Sequence, residues 1–495
     1  LTPTAYNNGE ALCVKPSDGS GDFDFSRNSA ATRVNAQGLV EDVQILSSNL
    51  VQNGDFSEQG AEEVSNGSFS QQGSEQITNG DFSNGTTGWS SNATLTESNN
   101  IANITTTSPS VVYIRQNNVY EFGKSYKLTF TAKVDNLTEF QLYVGSTRGY
   151  IDTGIIPTQT TDFQEYNFYF QADTAGGMNL LLRQSMVANS SIEYSEISVV
   201  EVGQDWNLGT GWSIGDDKVV AVNGNSYGTF QSGVTETNKN YKVTYTIKDY
   251  ISGTVNLRMH TLNLETRNSN GTFTEYFTSV GSALYIQGGN NFNGSITNIS
   301  VKEVGQNWDL EANWSIGNNK AISDATGGFI KQTDVSGAGV TATYKVQWTQ
   351  NITTGTRLRF FARNYNDGGN ATTLSITRDD GTSMGGGNCV GSGTFTAYVS
   401  STNGYSFKIL AETGVEADIT NITTIQITDD TNLPRINYEG FSYQDALGSE
   451  LVVNGTFDSD TAWIKGTTWS IGGGFASATE NDGSYLYQTN ICEIG

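Results

Sequence analysis

One phrase recurs along this chain and constrains its fold before any strand is assigned. It reads Asn-Gly-Asp-Phe or a relative, then a polar stretch, then Gly-Trp-Ser or Trp-Ser-Ile-Gly. The copies are Asn79-Gly80-Asp81-Phe82 with Gly88-Trp89-Ser90, Trp206 with Trp212-Ser213-Ile214-Gly215, Trp308 with Trp314-Ser315-Ile316-Gly317, and Asn454-Gly455-Thr456-Phe457 with Trp469-Ser470-Ile471-Gly472. A period of about a hundred residues means duplication of whole domains, not a short solenoid repeat. Such a chain is expected to be a modular binding or structural protein rather than one enzyme core.

Between these phrases the same strands return. Each module has a Tyr-Lys strand: Tyr126-Lys127-Leu128-Thr129-Phe130, Tyr241-Lys242-Val243-Thr244-Tyr245 and Tyr344-Lys345-Val346-Gln347-Trp348. Partner strands follow at 140–144, 255–259 and 357–361, and further ones at 166–170, 272–277 and 394–399. The modules close on 192–199, 296–301 and 419–425. Period-two alternation with frequent turns, and 56 Gly against 5 Pro, predicts an all-β chain of tandem jelly-roll β-sandwich modules with a small β-rich N-terminal unit. In the first module Tyr126, Leu128, Phe130, Leu142, Val144, Phe168, Phe170, Leu180 and Leu182 should point inward. The Trp of each Trp-Ser turn should close one end of its sandwich. The expected divisions are 1–50, 51–76, 77–202, 203–304, 305–430, a return strand at 431–448, and a further module from 449 to 495. That last module stops partway, so the protein is expected to continue.

Residues 51–76 belong to a shorter repeat, in which Gly54, Gly67 and Gly80 stand thirteen apart. Each copy carries two apolar anchors around an Asn-Gly turn, and so small a unit cannot bury them alone. Two readings stand: a stalk-like spacer, or a duplication of the first module's leading edge. Unless something covers Val51, Phe56, Val64, Phe69 and Ile77, they favour self-association.

The formal charge of −25 argues against nucleic-acid binding, which needs a basic surface. No run is apolar enough for a membrane span. Cys13, Cys389 and Cys492 have no metal-ligand spacing, and His260, the sole histidine, cannot build a histidine metal site. No Gly-x-Ser-x-Gly elbow accompanies it, and His260 is expected at a strand rim. Tyr143, Tyr169 and Arg183 alternate opposite to the core set and are the candidates for a ligand-facing surface. No cofactor is expected beyond a structural calcium, for which Asp81 is the candidate; the alternative is that Asp81 caps its own turn.

The frame Asn-Gly-Asp-Phe, Gly-Trp, Tyr-Lys-Leu-Thr-Phe, Ile-Ser-Val resembles jelly-roll carbohydrate-binding modules of families four, nine and twenty-two, from about residue 80 to 430 and again near 450. The opening stretch from Gly19 to Glu41, with Asp22-Phe23-Asp24-Phe25-Ser26-Arg27 and Gly38-Leu39-Val40-Glu41, is similar to the start of tailed-bacteriophage tail or fibre proteins. In those a phrase like Asn432-Leu433-Pro434-Arg435-Ile436-Asn437-Tyr438 soon follows, so the resemblance implies that the modules were inserted into one small domain. It places 20–46 beside 432–440. Gly440-Phe441-Ser442-Tyr443-Gln444 stands where that family carries Cys-Pro-Ser-Leu-Leu. The implied protein is a non-enzymatic virion-surface appendage, a homotrimer or partner of other virion proteins, that spaces or adheres to host-surface glycans without nucleic acid or membrane insertion. A secreted bacterial glycan-binding adhesin and a purely architectural virion part are the alternatives.

Overall fold

The computed structural model describes residues 2–7, 10–14, 32–34, 40–42, 45–144, 150–152, 159–172, 179–224, 228–311, 313–428, 452–479 and 484–489, without the side chains of 2–46, 137–144, 150–152 and 428. Two units divide the chain: Ser47–Gln426, and Leu1–Leu46 with Ile427–Gly495. Regular structure among the described residues is β-strand throughout, apart from one 3₁₀ turn at Tyr365–Asp367.

Three jelly-roll-type β-sandwiches make up Ser47–Gln426. In module 1 two long strands, Ser125–Val144 and Leu180–Val202, pair along most of their length and serve both layers. Their pairing shifts register between Asp135 and Leu137, where Asn136 (φ 55°) and Asn189 (φ 58°) take left-handed conformations. Asn tolerates that region better than most side chains, so the strands turn the corner there. One layer carries Gln164–Gln171 and Ile101–Thr106, the other Ser110–Gln116 and Tyr150–Asp152. Module 2 repeats this with Asn240–Met259 and Leu284–Val304. In module 3 the corner interrupts both strands, with Gly355 between Ala342–Thr354 and Arg357–Arg363, and Gly414 between Tyr405–Ala411 and Glu416–Thr428.

Each sandwich encloses one apolar cluster. Tyr126, Leu128, Phe130, Phe168, Phe170, Leu180 and Leu182 are buried in module 1, as alternation requires. The side chains of Leu142 and Val144 lie outside the described residues.

The thirteen-residue repeats form no segment apart. Each is the opening loop of a different module, taken in reverse order. Val51 and Phe56 belong to the core of module 3, Val64 and Phe69 to that of module 2, and Ile77 and Phe82 to that of module 1. We call each such loop a clip. The backbone of Gly54 lies against Ile422, that of Gly67 against Ile299 and that of Gly80 against Ile197; a Cβ on any of them would stand within 2.0 Å of the isoleucine carbonyl oxygen. Each isoleucine amide donates to the clip glycine carbonyl, at 2.8–2.9 Å. The clip phenylalanine lies on a tryptophan: Phe82 on Trp89, Phe69 on Trp206 and Phe56 on Trp308, at 5.6, 5.1 and 5.0 Å. Each indole Nε1 donates to the clip asparagine carbonyl.

Partner residues are therefore 10 apart in module 1 but 140 and 255 apart in modules 2 and 3. Module 1 sits between the clip and the tryptophan of module 2, and both sit between those of module 3. Short strands beside the clips extend the sheets: Gln59–Glu62 pairs with Leu284–Val304, and Gln72–Glu75 with Leu180–Val202. The sequence equated Trp89 with Trp212, and the structure corrects this. Trp89, Trp206 and Trp308 hold clips, whereas Trp212 and Trp314 begin hairpin strands, Trp212–Gly215 and Trp314–Gly317. The later copy follows the same rule, with Phe457 on Trp463 and Trp469–Gly472 in a hairpin.

The expected exposure of Val51, Phe56, Val64, Phe69 and Ile77 is corrected too. All five are buried within their own chain, which removes the argument for self-association drawn from them. The segment enters and leaves module 3 side by side, since the Ser47 amide donates to Gln426 and that of Leu50 to Thr424. The phrase at 432–440 and most of 20–46 lie outside the described residues.

Nesting makes a selective prediction. Gly67→Ala should destabilise module 2 by about 3 kcal/mol, because the new Cβ overlaps backbone. Hydrogen exchange should show lost protection across 203–304, with module 1 retaining its protection although it adjoins Gly67 in sequence. Loss centred on module 1 would refute the nested assignment.

Candidate functional site

A sandwich offers two outer faces, and in modules 1 and 2 the next module takes one of them. Tyr169 and Val200 pack against the core of module 2, and Tyr276, which holds the register position equivalent to Tyr169, packs against that of module 3. The Tyr169 hydroxyl donates to Asp216 across the junction at 2.9 Å. Burial first, and then the Asp216 carboxylate, push this phenol well above its ordinary range. Val202 and Val304, the last residues of their strands, enter the next module's core. Tyr169 is therefore a junction residue.

The opposite face is the one left for a ligand. Its positions can be aligned on Gln116, Gln231 and Gln332, whose side-chain amides donate to the clip carbonyls of Thr78, Ser65 and Gln52 at 2.8–2.9 Å. The residue before each glutamine and the one two further back face outward. In module 1, Arg115 stands opposite Leu181 and Tyr113 opposite Arg183, with Tyr143 and Gln141 at the next strand's positions. In module 2 the equivalents are Phe230, Tyr285 and Arg258, and Gly228, Gln287 and Asn256. In module 3 they are Lys331, Lys408 and Phe361, and Phe329, Leu410 and Arg359.

Each face sets cations over aromatic rings. Arg115 lies 5.8 Å from the centre of the Tyr113 ring, Arg258 5.6 Å from that of Tyr285, Lys408 4.5 Å from that of Phe329, and Arg359 4.9 Å from that of Phe361. Phe230 and Tyr285 stack at 5.3 Å. Carboxylates stand at the rim of module 3: Asp309 pairs with Lys331, Asp367 with Lys408, and Glu412 with Arg359 and Arg357. Burial raises the Asp367 carboxyl, but Arg363 and Lys408 outweigh it and hold the group below its usual value. A cavity of about 370 Å³ opens beside Phe361, lined also by Asn370, Thr373, Ser375, Gly386 and Gly387.

The structure brings two of the three sequence candidates to this face. Arg183 is half-buried on it, and Tyr143 holds a register position on it, its side chain lying outside the described residues. Tyr113 and Arg115 were missed because the strand Ser110–Gln116 was not among those expected, and the residues of modules 2 and 3 because alternation was followed in module 1 only. Alignment on the three glutamines would have found them.

Asp81 caps its own loop, accepting from the Ser83 amide and hydroxyl, and both bonds hold its carboxyl below the usual range. Among the described residues no cluster of three or more His, Cys, Asp or Glu could hold a metal ion. His260 is exposed at φ 52°, its amide donating to Ala283 where a strand ends. Cys389 is buried, and burial pushes its thiol up to about 12.

No family model and no curated protein matches the chain. Similar solved structures include a tandem of two family 22 carbohydrate-binding domains from Paenibacillus barcinonensis, at 10% identity and TM-score 0.22, over 47% of this chain and 98% of that one. A family 4 carbohydrate-binding module is 16% identical at TM-score 0.19, over 28% and 99%. The structure of Sulfolobus turreted icosahedral virus is 10% identical at TM-score 0.17, over 67% and 90%.

The junction yields a prediction. Tyr169→Phe removes the bond to Asp216 and should cost about 0.5–1.5 kcal/mol in urea unfolding. With Asp216→Ala already in place the same change should cost less, as a double-mutant cycle would measure.

Proposed function

We propose that this chain is a non-enzymatic, glycan-binding appendage protein on the surface of a tailed-phage virion, adhering to host carbohydrate through the free faces of its modules. The carrying observation is recurrence: the free face of every module holds half-buried aromatic rings, though at differing register positions, Tyr113 in module 1, Phe230 and Tyr285 in module 2, and Phe329 and Phe361 in module 3. Flat rings with one apolar face open to solvent suit the C–H face of a sugar, and neighbouring amide and guanidinium groups suit its hydroxyls. The virion assignment draws on the opening stretch from Gly19 to Glu41. Attachment to other virion proteins and a homotrimeric state belong to the same proposal. A purely architectural role is the second reading, favoured by the clips that tie three modules into one unit.

Screening the full chain on a glycan array tests the proposal. A bound glycan should lose at least tenfold in affinity, about 1.4 kcal/mol, with Tyr285→Ala combined with Phe230→Ala, or with Phe329→Ala. Tyr169→Phe, on the other layer, should bind as the parent does. A chain that binds no glycan on the array would leave the architectural reading.

A further inference from the structure

Charge on the free faces contradicts the charge of the chain. Acidic residues outnumber basic ones by 51 to 26 in 495 positions, so eighteen positions drawn at random would hold about two acidic residues and about one basic one. The eighteen outward positions, on three strands of each face, carry no Asp or Glu; the acidic residues at the same rows stand on adjoining strands, Asp309 opposite Lys331 and Asp152 opposite Gln141. The eighteen positions carry six cations: Arg115 and Arg183 in module 1, Arg258 in module 2, and Lys331, Lys408 and Arg359 in module 3. Solubility alone would be served by carboxylates, as on the rest of this protein.

We propose that these faces take acidic glycans, the shared chemistry being anionic oxygens carried on a sugar chain. This rests on the glycan-binding reading above and narrows it to a substrate class. The aromatic ring supports the sugar, and the cation beside it meets the carboxylate, sulfate or phosphate that the sugar bears. Half-burial beside a ring lowers the local dielectric and strengthens that contact. Arginine, present on every face, presents a planar fork that fits a carboxylate. Module 3 is the strongest site. It has the most cations, and the cavity beside Phe361 offers Asn370, Thr373 and Ser375 to sugar hydroxyls. Its rim carboxylates, Asp309, Asp367 and Glu412, pair with Lys331, Lys408 and Arg359 and hold them in place, and Arg357 and Arg363, which share Glu412 and Asp367, leave cations in excess there. The negative charge elsewhere repels a polyanion only over the Debye length, roughly 8 Å at physiological salt, so contact at the face persists.

The test uses the full chain and one sugar backbone in two charge states, polygalacturonate and its fully methyl-esterified form, read by isothermal titration calorimetry. Dextran sulfate against dextran forms the second arm, and separates sulfate from carboxylate recognition. At least one acidic polymer should bind ten times or more tightly than its neutral counterpart, and the preference should shrink as salt rises. Arg359→Gln with Lys408→Gln should remove most of it, with an unchanged circular dichroism spectrum. Phe361→Ala should weaken acidic and neutral polymers alike. Equal binding of charged and neutral forms would overturn the acidic class while leaving glycan binding intact. Binding of no polymer, together with a blank glycan array, would overturn both. Tighter binding to single-stranded poly(dT) than to any glycan would overturn the proposal in favour of nucleic acid.

Discussion

A phenylalanine lying on a tryptophan holds this structure together. Phe56, Phe69, Phe82 and Phe457 all take left-handed backbone conformations, with φ between 55° and 59°. For a bulky residue that costs about 1–2 kcal/mol. Burial of the ring returns about 1.5–3 kcal/mol, and the indole bond to the asparagine carbonyl adds to it. The asparagine before each glycine shares the left-handed conformation, and the glycine leaves room for the isoleucine carbonyl. Asn, Gly and Phe are thus set by one geometry, which is why the phrase recurs almost unchanged while the sequence around it drifts.

Because that interaction needs only a short peptide, the chain between the two rings can be of any length. Closing a longer loop costs entropy that grows only with the logarithm of its length. This tolerance allows the sequence of module 1 to lie between the clip and the tryptophan of module 2, and the sequences of both to lie between those of module 3. The arrangement carries a kinetic consequence. Module 1 closes from neighbouring residues, whereas the later modules must recover clips made long before their own strands, and non-local closure slows folding.

The two faces of each sandwich divide their work for a physical reason. The face beside the joint is covered by the following hairpin, with Val202 or Val304 inserted like a peg and Tyr169 or Tyr276 laid across the seam. The opposite face lies on the layer whose edge the clip glutamines pin, so its rings and cations are held on paired strands. Strands hold side chains more firmly than loops do, which suits a recognition surface.

Alternation along single strands determined much on its own. Tyr126, Leu128 and Phe130 had to share a face, the two tyrosine-lysine strands that follow repeat them, and the fold class follows from that period. The phrase itself announced three modules and a further copy. What the sequence left open was partnership. Three clips thirteen residues apart match three tryptophans equally well by type, so nothing local assigns Phe56 to Trp308 rather than to Trp89. Only the closed sandwiches decide it, because each clip must also extend its own module's sheet and meet its own glutamine. The role of Tyr169 was hidden for the same reason. An outward-facing ring reads alike in sequence whether it meets solvent, a ligand or the next module, and burial by a neighbour is a property of the assembled chain.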